Sequence, residues 1–249
     1  MSICATELES KDYCRYEELN RRSPHGSVWS AHSWTDYVCA ESRVFGVHRG
    51  GELIGGANLP VAGERLLRYL PGTPWYGPVA RSTEEGECLE IARALARYLL
   101  ARYDEVTLTL PPEWTDIRAF TWEGMRPHVR YTYRGARVHF EKRVQPESVE
   151  TMRQTEAQTG GWRLDSIRSA DGSIKVVEDW NRVNYWDADP GGEHTPLVCR
   201  MIEDAEAAGL GFDMVGCNSP RRALFKRAFG GTLTPYYAVT TCDAPDLRA

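Results

Sequence analysis

Residues 82–112 read STEEGECLEIARALARYLLARYD, followed directly by EVTLTLPP. Leu89, Ala92, Leu95, Ala96 and Leu99 recur at helical spacing and define one apolar stripe. Glu84, Glu85 and Glu87 crowd the amino end and arginines the carboxyl end, as the helix dipole favours. Ser82 or Thr83 is the expected cap. A buried strand over 105–112, stopped by two prolines, follows with almost no linker. A one-sided helix running straight into such a strand commits the chain to layered α/β architecture, because the stripe must cover a sheet.

The flanking patterns extend that unit. RVFGVHR (43–49), LIGGANLPVA (53–62) and LLRYLP (66–71) read as a three-strand meander, preceded by helical segments near 12–21 and 33–41. VRYTYRGARVHFE (129–141) supplies two more strand-like runs. In the second half a helix is expected near 147–159, then a strand at WRLDSIR (162–168). TPLVCRMIEDAEAAG takes Thr195 as cap, Pro196 as first helical residue and Gly209 as stop, with Leu197, Met201, Ala205 and Ala208 on one face. GFDMVGC (211–217) reads as a strand, SPRRALFKRAFGG (219–231) as a short helix and TLTPYYAVTTC (232–242) as a last strand. Both halves thus share the order long helix, strand, short helix, strand. This predicts two modules, 1–145 and 146–249. The second has no evident meander, only the polar stretch WNRVNYWDADPGGEHT (180–195), and is expected to be reduced.

Charge and composition exclude several classes. Lys and Arg number 30 against 35 Asp and Glu, a net charge of −5, which argues against sequence-blind binding of duplex DNA. No stretch reaches the roughly 18 apolar residues of a membrane span. MSICATELESKDYC lacks the basic and apolar regions of a signal peptide, so the cytoplasm is the expected compartment. The seven scattered cysteines show no metal or disulfide spacing and are expected to be reduced and mostly buried. Asp187, Asp189, Glu193 and His194 are metal-ligand types, but their Pro-Gly-Gly filling points to a solvated loop, and no metal site is expected. No G-x-S-x-G, H-E-x-x-H or Walker loop occurs.

Three stretches carry a family resemblance. GTPWYGPV (72–79) follows the meander. LPPEWTDIRAFTWEGMRPHVRYTYR (110–134) contains D-x-R-x-F-x-W-x-G ahead of a Y-T-Y strand. DMVGCNSPRRALFKRAFGGTLTPYY (213–237) runs D-x-x-G, F-K-x-x-F-G-G and P-Y-Y. In that order they resemble the Fem family of aminoacyl-tRNA-dependent peptidyl transferases, over residues 27–143 and 196–241. The resemblance implies two tandem GNAT-like modules (acyl-CoA N-acyltransferase-type) with mixed sheets, the second reduced, without the coiled-coil arm some members insert. It implies attack of an acceptor amine on the ester joining an amino acid to the 3′ end of tRNA. No cofactor is needed beyond aminoacyl-tRNA as co-substrate. Shortness suggests a small peptide or peptidyl-nucleoside acceptor, similar to alanyl transfer in uridyl-peptide antibiotic assembly; a peptidoglycan precursor is the other acceptor.

The resemblance also implies residue roles. Lys226, after Phe225, is the expected catalytic residue, its charge placed on an oxyanion or leaving hydroxyl. Phe225, Ala228 and Phe229 face the core, while Arg222 shares the Lys226 face and Arg221 and Arg227 flank it, meeting tRNA phosphates or serving as surface charge. Trp75 and Tyr76 either stack on substrate or pack. Trp122, Tyr131 and Tyr133 are expected to pack. Asp116 and Arg118 lie beyond a strand end, where ligands bind, with Asp116 orienting an amine or capping the next helix. Asp213 is expected to hold a hydrogen bond or an arginine. Two other readings stand beside transfer from tRNA: an acyl-CoA-dependent N-acyltransferase, and an idle binding protein on the same fold. The junction GPVARSTEEGECLE is acidic where the first would need a glycine-rich pyrophosphate cradle.

Overall fold

The structure is a computed structural model that describes residues 2–38, 41–63, 66–67, 70, 72–135, 143–144 and 149–242. The chain divides into two compact units: Met1–Val129 with Tyr236–Arg248, and Arg130–Pro235.

The first unit opens with β1 (Ile3–Glu7), a strand the sequence pattern did not reveal, then α1 (Tyr13–Arg22) and α2 (His32–Tyr37). β2 (Ser42–Arg49) and β3 (Glu52–Pro60) form the expected hairpin, and β1 pairs antiparallel with β2. The third meander strand differs from expectation. β4 (Leu66–Leu67) pairs parallel with β6 (Glu105–Thr109), while β5 (Val79–Ala80) takes the place beside β3. Arg68, Tyr69 and Pro71 of that expected strand lie outside the described residues.

Between β5 and β6 runs α3 (Glu85–Leu100), which buries Ile91, Ala92, Leu95, Ala96 and Leu99 in one cluster with Phe45, Val47, Ile54, Val106 and Leu108. Its cap is Glu84 rather than Ser82 or Thr83. The Glu84 carboxylate accepts from the Gly86 and Glu87 amides at 3.0 and 2.6 Å. α4 (Arg118–Trp122) completes the unit's helices.

The second unit is built on β7 (Arg126–Gly135), β8 (Met152–Gln158), β9 (Trp162–Arg168), β10 (Ser173–Asp179), β11 (Arg182–Ala188) and β12 (Gly211–Asp213), in the order β7-β12-β11-β10-β9-β8. Two expectations are corrected here. Residues 152–158 form a strand, not a helix: Arg153 and Thr155, two residues apart, both reach Asp165 on β9. That is the same-face geometry of a strand. Residues 182–188, expected to be irregular, are β11, parallel to β12 and antiparallel to β10. The missing meander is therefore present, and among the described residues the second unit has fewer helices rather than fewer strands. Those helices are α5 (Thr195–Ala207) and α6 (Pro220–Arg227). α5 starts one residue earlier than expected, with His194 as cap, and ends at Gly209 in the left-handed region (φ 69°). Ala208 is exposed, and the buried face is Leu197, Val198, Cys199, Met201, Ile202 and Ala205.

The chain then returns as β13 (Thr232–Thr240), which pairs antiparallel with β6 through Ala238, Val239 and Thr240. Each unit is thus closed by the other half's last strand: β7 follows α4 yet pairs with β12, and β13 follows α6 yet pairs with β6. A linear division at 145/146 does not describe these units, because strand pairing rather than chain order defines them. Residues 136–142 and 145–148 lie outside the description. Among the described residues no helix is long and apolar enough to cross a membrane. The six described cysteines are free thiols, but only Cys199 and Cys217 are buried.

Candidate active site

Two buried charges of the second unit, Lys226 and Asp213, lie on and beside α6. Ser219 and Pro220 open this helix, and Gly230 and Gly231 release it at φ 85° and 82°. A side chain at Gly231 would lie 2.9 Å from the Arg134 carbonyl oxygen, so the pair of glycines is a packing requirement as well as a stop. Phe225 and Phe229 meet edge to face at 5.0 Å, Phe229 within the core cluster that holds the buried face of α5 and Phe225 packed against it. Arg221, Arg222 and Arg227 are exposed.

Lys226, on the same helix, is buried. It is 5% exposed, and its ammonium donates to the carbonyls of Met214, Val215 and Gly216 at 2.5, 2.5 and 2.7 Å. Three donors meeting three acceptors is the full complement that burial of an ammonium demands. The Tyr185 ring lies 5.2 Å from the same nitrogen. Burial lowers the Lys226 pKa to about 8; the Asp213 carboxylate opposes this and the Arg222 charge adds to it.

The carbonyls belong to a constrained turn. Val215 has φ 47°, sparsely populated for a β-branched residue. Its amide donates to Asp213 at 2.8 Å. Asp213 is fully buried and also accepts from Thr132 at 2.6 Å and from Arg134. Asp213 and Lys226 therefore hold opposite sides of one turn, the carboxylate taking an amide and the ammonium taking carbonyls.

The first unit has a cleft of about 450 Å³ between the amino end of α3 and the loop joining β6 to α4. Asp116 and Arg118 line it together. Arg118 makes a two-pronged ion pair with Asp116 and reaches Glu85, which holds the Asp116 carboxyl below the usual range. Asp116 also accepts from the Arg118 amide at 3.0 Å, so it caps the first turn of α4 as well as facing the cleft. His25, Thr83, Cys88, Glu113, Trp114 and Thr115 complete the lining. Burial, Glu87 and Glu84 push the Cys88 thiol up to about 11, so it is no nucleophile at neutral pH.

Trp75 and Tyr76 are fully buried in the first unit. Tyr76 donates to the Thr107 carbonyl, and the Trp75 ring meets Tyr236 at 5.5 Å. They are core residues here and offer no stacking surface. Trp122 and Tyr131 are exposed instead, whereas Tyr133 packs. Asp189 and His194 pair with each other at 3.0 Å, and no group of metal-ligating side chains forms among the described residues. Sequence reasoning missed His25, Glu113, Trp114 and Tyr185, and it placed Glu84 at the helix dipole without seeing it as the cap. Only Glu84 carried a signal, being acidic and next to the first helical residue.

No protein-family model matches the chain, and no curated protein does. Solved structures define its fold as GNAT-like. The C-terminal domain of a putative lysylphosphatidylglycerol synthetase from Agrobacterium fabrum matches 94% of this chain and 92% of its own, at 8% identity and a TM-score of 0.64. FemX matches 95% and 97% at 9% identity and 0.60. A tandem GNAT protein of the clavulanic acid biosynthesis pathway matches 96% and 98% at 11% identity and 0.52.

Proposed function

We propose that this protein is an aminoacyl-tRNA-dependent aminoacyltransferase that forms a peptide bond on the amine of a small peptide or peptidyl-nucleoside acceptor. The observation that carries this reading is α6, which presents Arg221, Arg222 and Arg227 to solvent while holding Lys226 beneath them against the Asp213–Gly216 turn. Three exposed guanidiniums suit the phosphates of a tRNA acceptor end. The likeness in fold to FemX supports the same reading.

The neutral acceptor nitrogen attacks the ester carbonyl carbon, the carbon–oxygen bond to tRNA breaks, and the proton the nitrogen gives up ends on the departing 3′ oxygen. Lys226 supplies positive charge to the oxygen that becomes negative, reaching it by exchanging one of its three carbonyls for substrate.

An acyl-CoA donor fits less well. The GNAT-like pyrophosphate site would use the first amides of the helix after each meander. In α3 the Gly86 and Glu87 amides already donate to Glu84. In α5 the Thr195 amide donates to Glu193, and Pro196 has none. Both ends carry a carboxylate where a pyrophosphate would sit.

The test incubates the protein with charged tRNAs and candidate amines, with and without complete ribonuclease digestion. Peptide-bond formation that requires intact aminoacyl-tRNA is expected. Transfer that survives digestion, or that requires acyl-CoA, would overturn the reading.

A further inference from the structure

Within the second unit, β7 runs through Arg130, Tyr131, Thr132 and Tyr133, and strand alternation sets the two tyrosines on one face. Arg130 and Thr132, on the other face, are buried. Tyr133 packs against the cluster that contains Phe229, as Phe225 does, so the tyrosine face is the one turned toward α6. Tyr131 extends past that cover. It is 41% exposed, and among the described residues of this unit no other Trp, Tyr or Phe is exposed. Its backbone is held on both sides: the Tyr131 amide donates to the Asn218 side-chain oxygen at 2.8 Å, and the Cys217 amide donates to the Tyr131 carbonyl at 2.8 Å. Those bonds set Tyr131 beside the exposed run Asn218, Ser219, Pro220, Arg221 and Arg222, which leads into the first turn of α6.

The charge of that run is uncompensated. Arg221, Arg222 and Arg227 make no ion pair or side-chain hydrogen bond among the described residues, whereas Arg134, Arg153, Arg163 and Arg200 of the same unit are each paired with an acid. Cations in the first turn also oppose the helix dipole, so the fold gains nothing from Arg221 and Arg222 there. An aromatic ring fixed beside free guanidiniums matches a ligand that carries flat rings and phosphates together. Arginines bind the phosphates of single and double strands alike, but a base is open to stacking only outside a duplex. An eight-residue helix is about 12 Å long, which suits a few nucleotides rather than a length of duplex.

We propose that Tyr131 and the amino end of α6 form a surface for the unpaired 3′ end of an RNA, the Tyr131 ring stacking on a base and Arg221 and Arg222 taking neighbouring phosphates. Identifying that RNA as the aminoacyl-tRNA of the transfer reaction rests on the function proposed above; the preference for unpaired nucleotides does not.

The probes are two RNA hairpins of one acceptor-stem sequence, one blunt and one ending in an unpaired ACCA 3′ tail, titrated into the full chain by fluorescence anisotropy. The tailed hairpin is expected to bind wild type about tenfold tighter than the blunt one. Tyr131→Ala is expected to abolish that difference and leave blunt binding unchanged, whereas Tyr131→Phe keeps it. Arg221→Ala with Arg222→Ala is expected to weaken both hairpins. Equal binding of the two hairpins, no binding of either, or a tail preference that survives Tyr131→Ala would overturn the surface. Phosphatidylglycerol vesicles that bind wild type while the hairpins do not would assign α6 to a lipid surface instead. Because the tail comparison uses wild-type protein, a misfolded variant does not remove the test. A tail preference without tRNA-dependent transfer would sink the function and leave the surface standing; tRNA-dependent transfer without a tail preference would do the reverse.

Discussion

Lys226 lies at the end of a chain of compensations, and its neighbours define what replacing it does. Lys226→Met leaves three carbonyls without their shared donor, and a stability loss of about 2 kcal/mol is expected in urea unfolding. The pH dependence is more specific. The folded pKa sits near 8 against an ordinary 10.5, so between those values the folded chain binds fewer protons than the unfolded one. This contribution to stability therefore rises with pH across that window, by up to about 1.4 kcal/mol per unit. The Cys217 thiol, pushed up to about 11 from 9.0, works in the opposite direction at higher pH. The difference between wild type and Lys226→Met is accordingly the quantity to follow, and a gap that stays constant from pH 8 to 9 would contradict the buried-ammonium account. Asp213→Asn should cost about 3 kcal/mol, because Arg134 loses its buried partner while the Val215 amide and the Thr132 hydroxyl lose a charged acceptor.

At the scale of elements, α3 and α6 make separable predictions. Glu84→Ala should lower stability by about 1 kcal/mol through loss of the cap to the Gly86 and Glu87 amides, measured by thermal unfolding. Replacing Arg221, Arg222 and Arg227 together with alanine should leave stability within about 0.5 kcal/mol. The same triple variant should weaken binding of a tRNA acceptor-stem duplex and flatten its salt dependence. Unaltered salt dependence would remove α6 from the RNA surface. α3 and α5 were legible in the sequence because a buried helix face repeats at its own period. β8 was not: MRQTEAQ is polar and rich in helix formers, and it is a strand through pairing with β9 and the hold of Asp165 on Arg153 and Thr155. The α6 cluster was legible as a cluster, yet spacing could not reveal that the β12–α6 turn folds its carbonyls toward Lys226. His25, Glu113 and Trp114 were invisible for another reason. They meet across nearly ninety positions of sequence, on loops without periodicity.

For the whole molecule, the reciprocal use of β7 and β13 predicts what can be taken apart. Residues 1–145 expressed alone keep β4 beside β6 but lack β13, and residues 146–249 keep β11 beside β12 but lack β7. Neither piece is expected to show protected amides or a cooperative unfolding transition, whereas the full chain shows both. A cooperatively folded 1–145 fragment would contradict this. Chain termination after Gly231 should open β6 in hydrogen exchange, because Leu110 and Val106 lose the bonds they make with Tyr237 and Thr241. The same connectivity bears on synthesis at the ribosome. The amino-terminal unit is made first but keeps one edge of β6 bare until Tyr236 to Thr240 emerge, after the whole second unit has been translated. For that interval the nascent chain carries an unpaired, apolar strand edge. Its safe production therefore depends on translation outrunning self-association, or on a chaperone occupying that edge until β13 arrives.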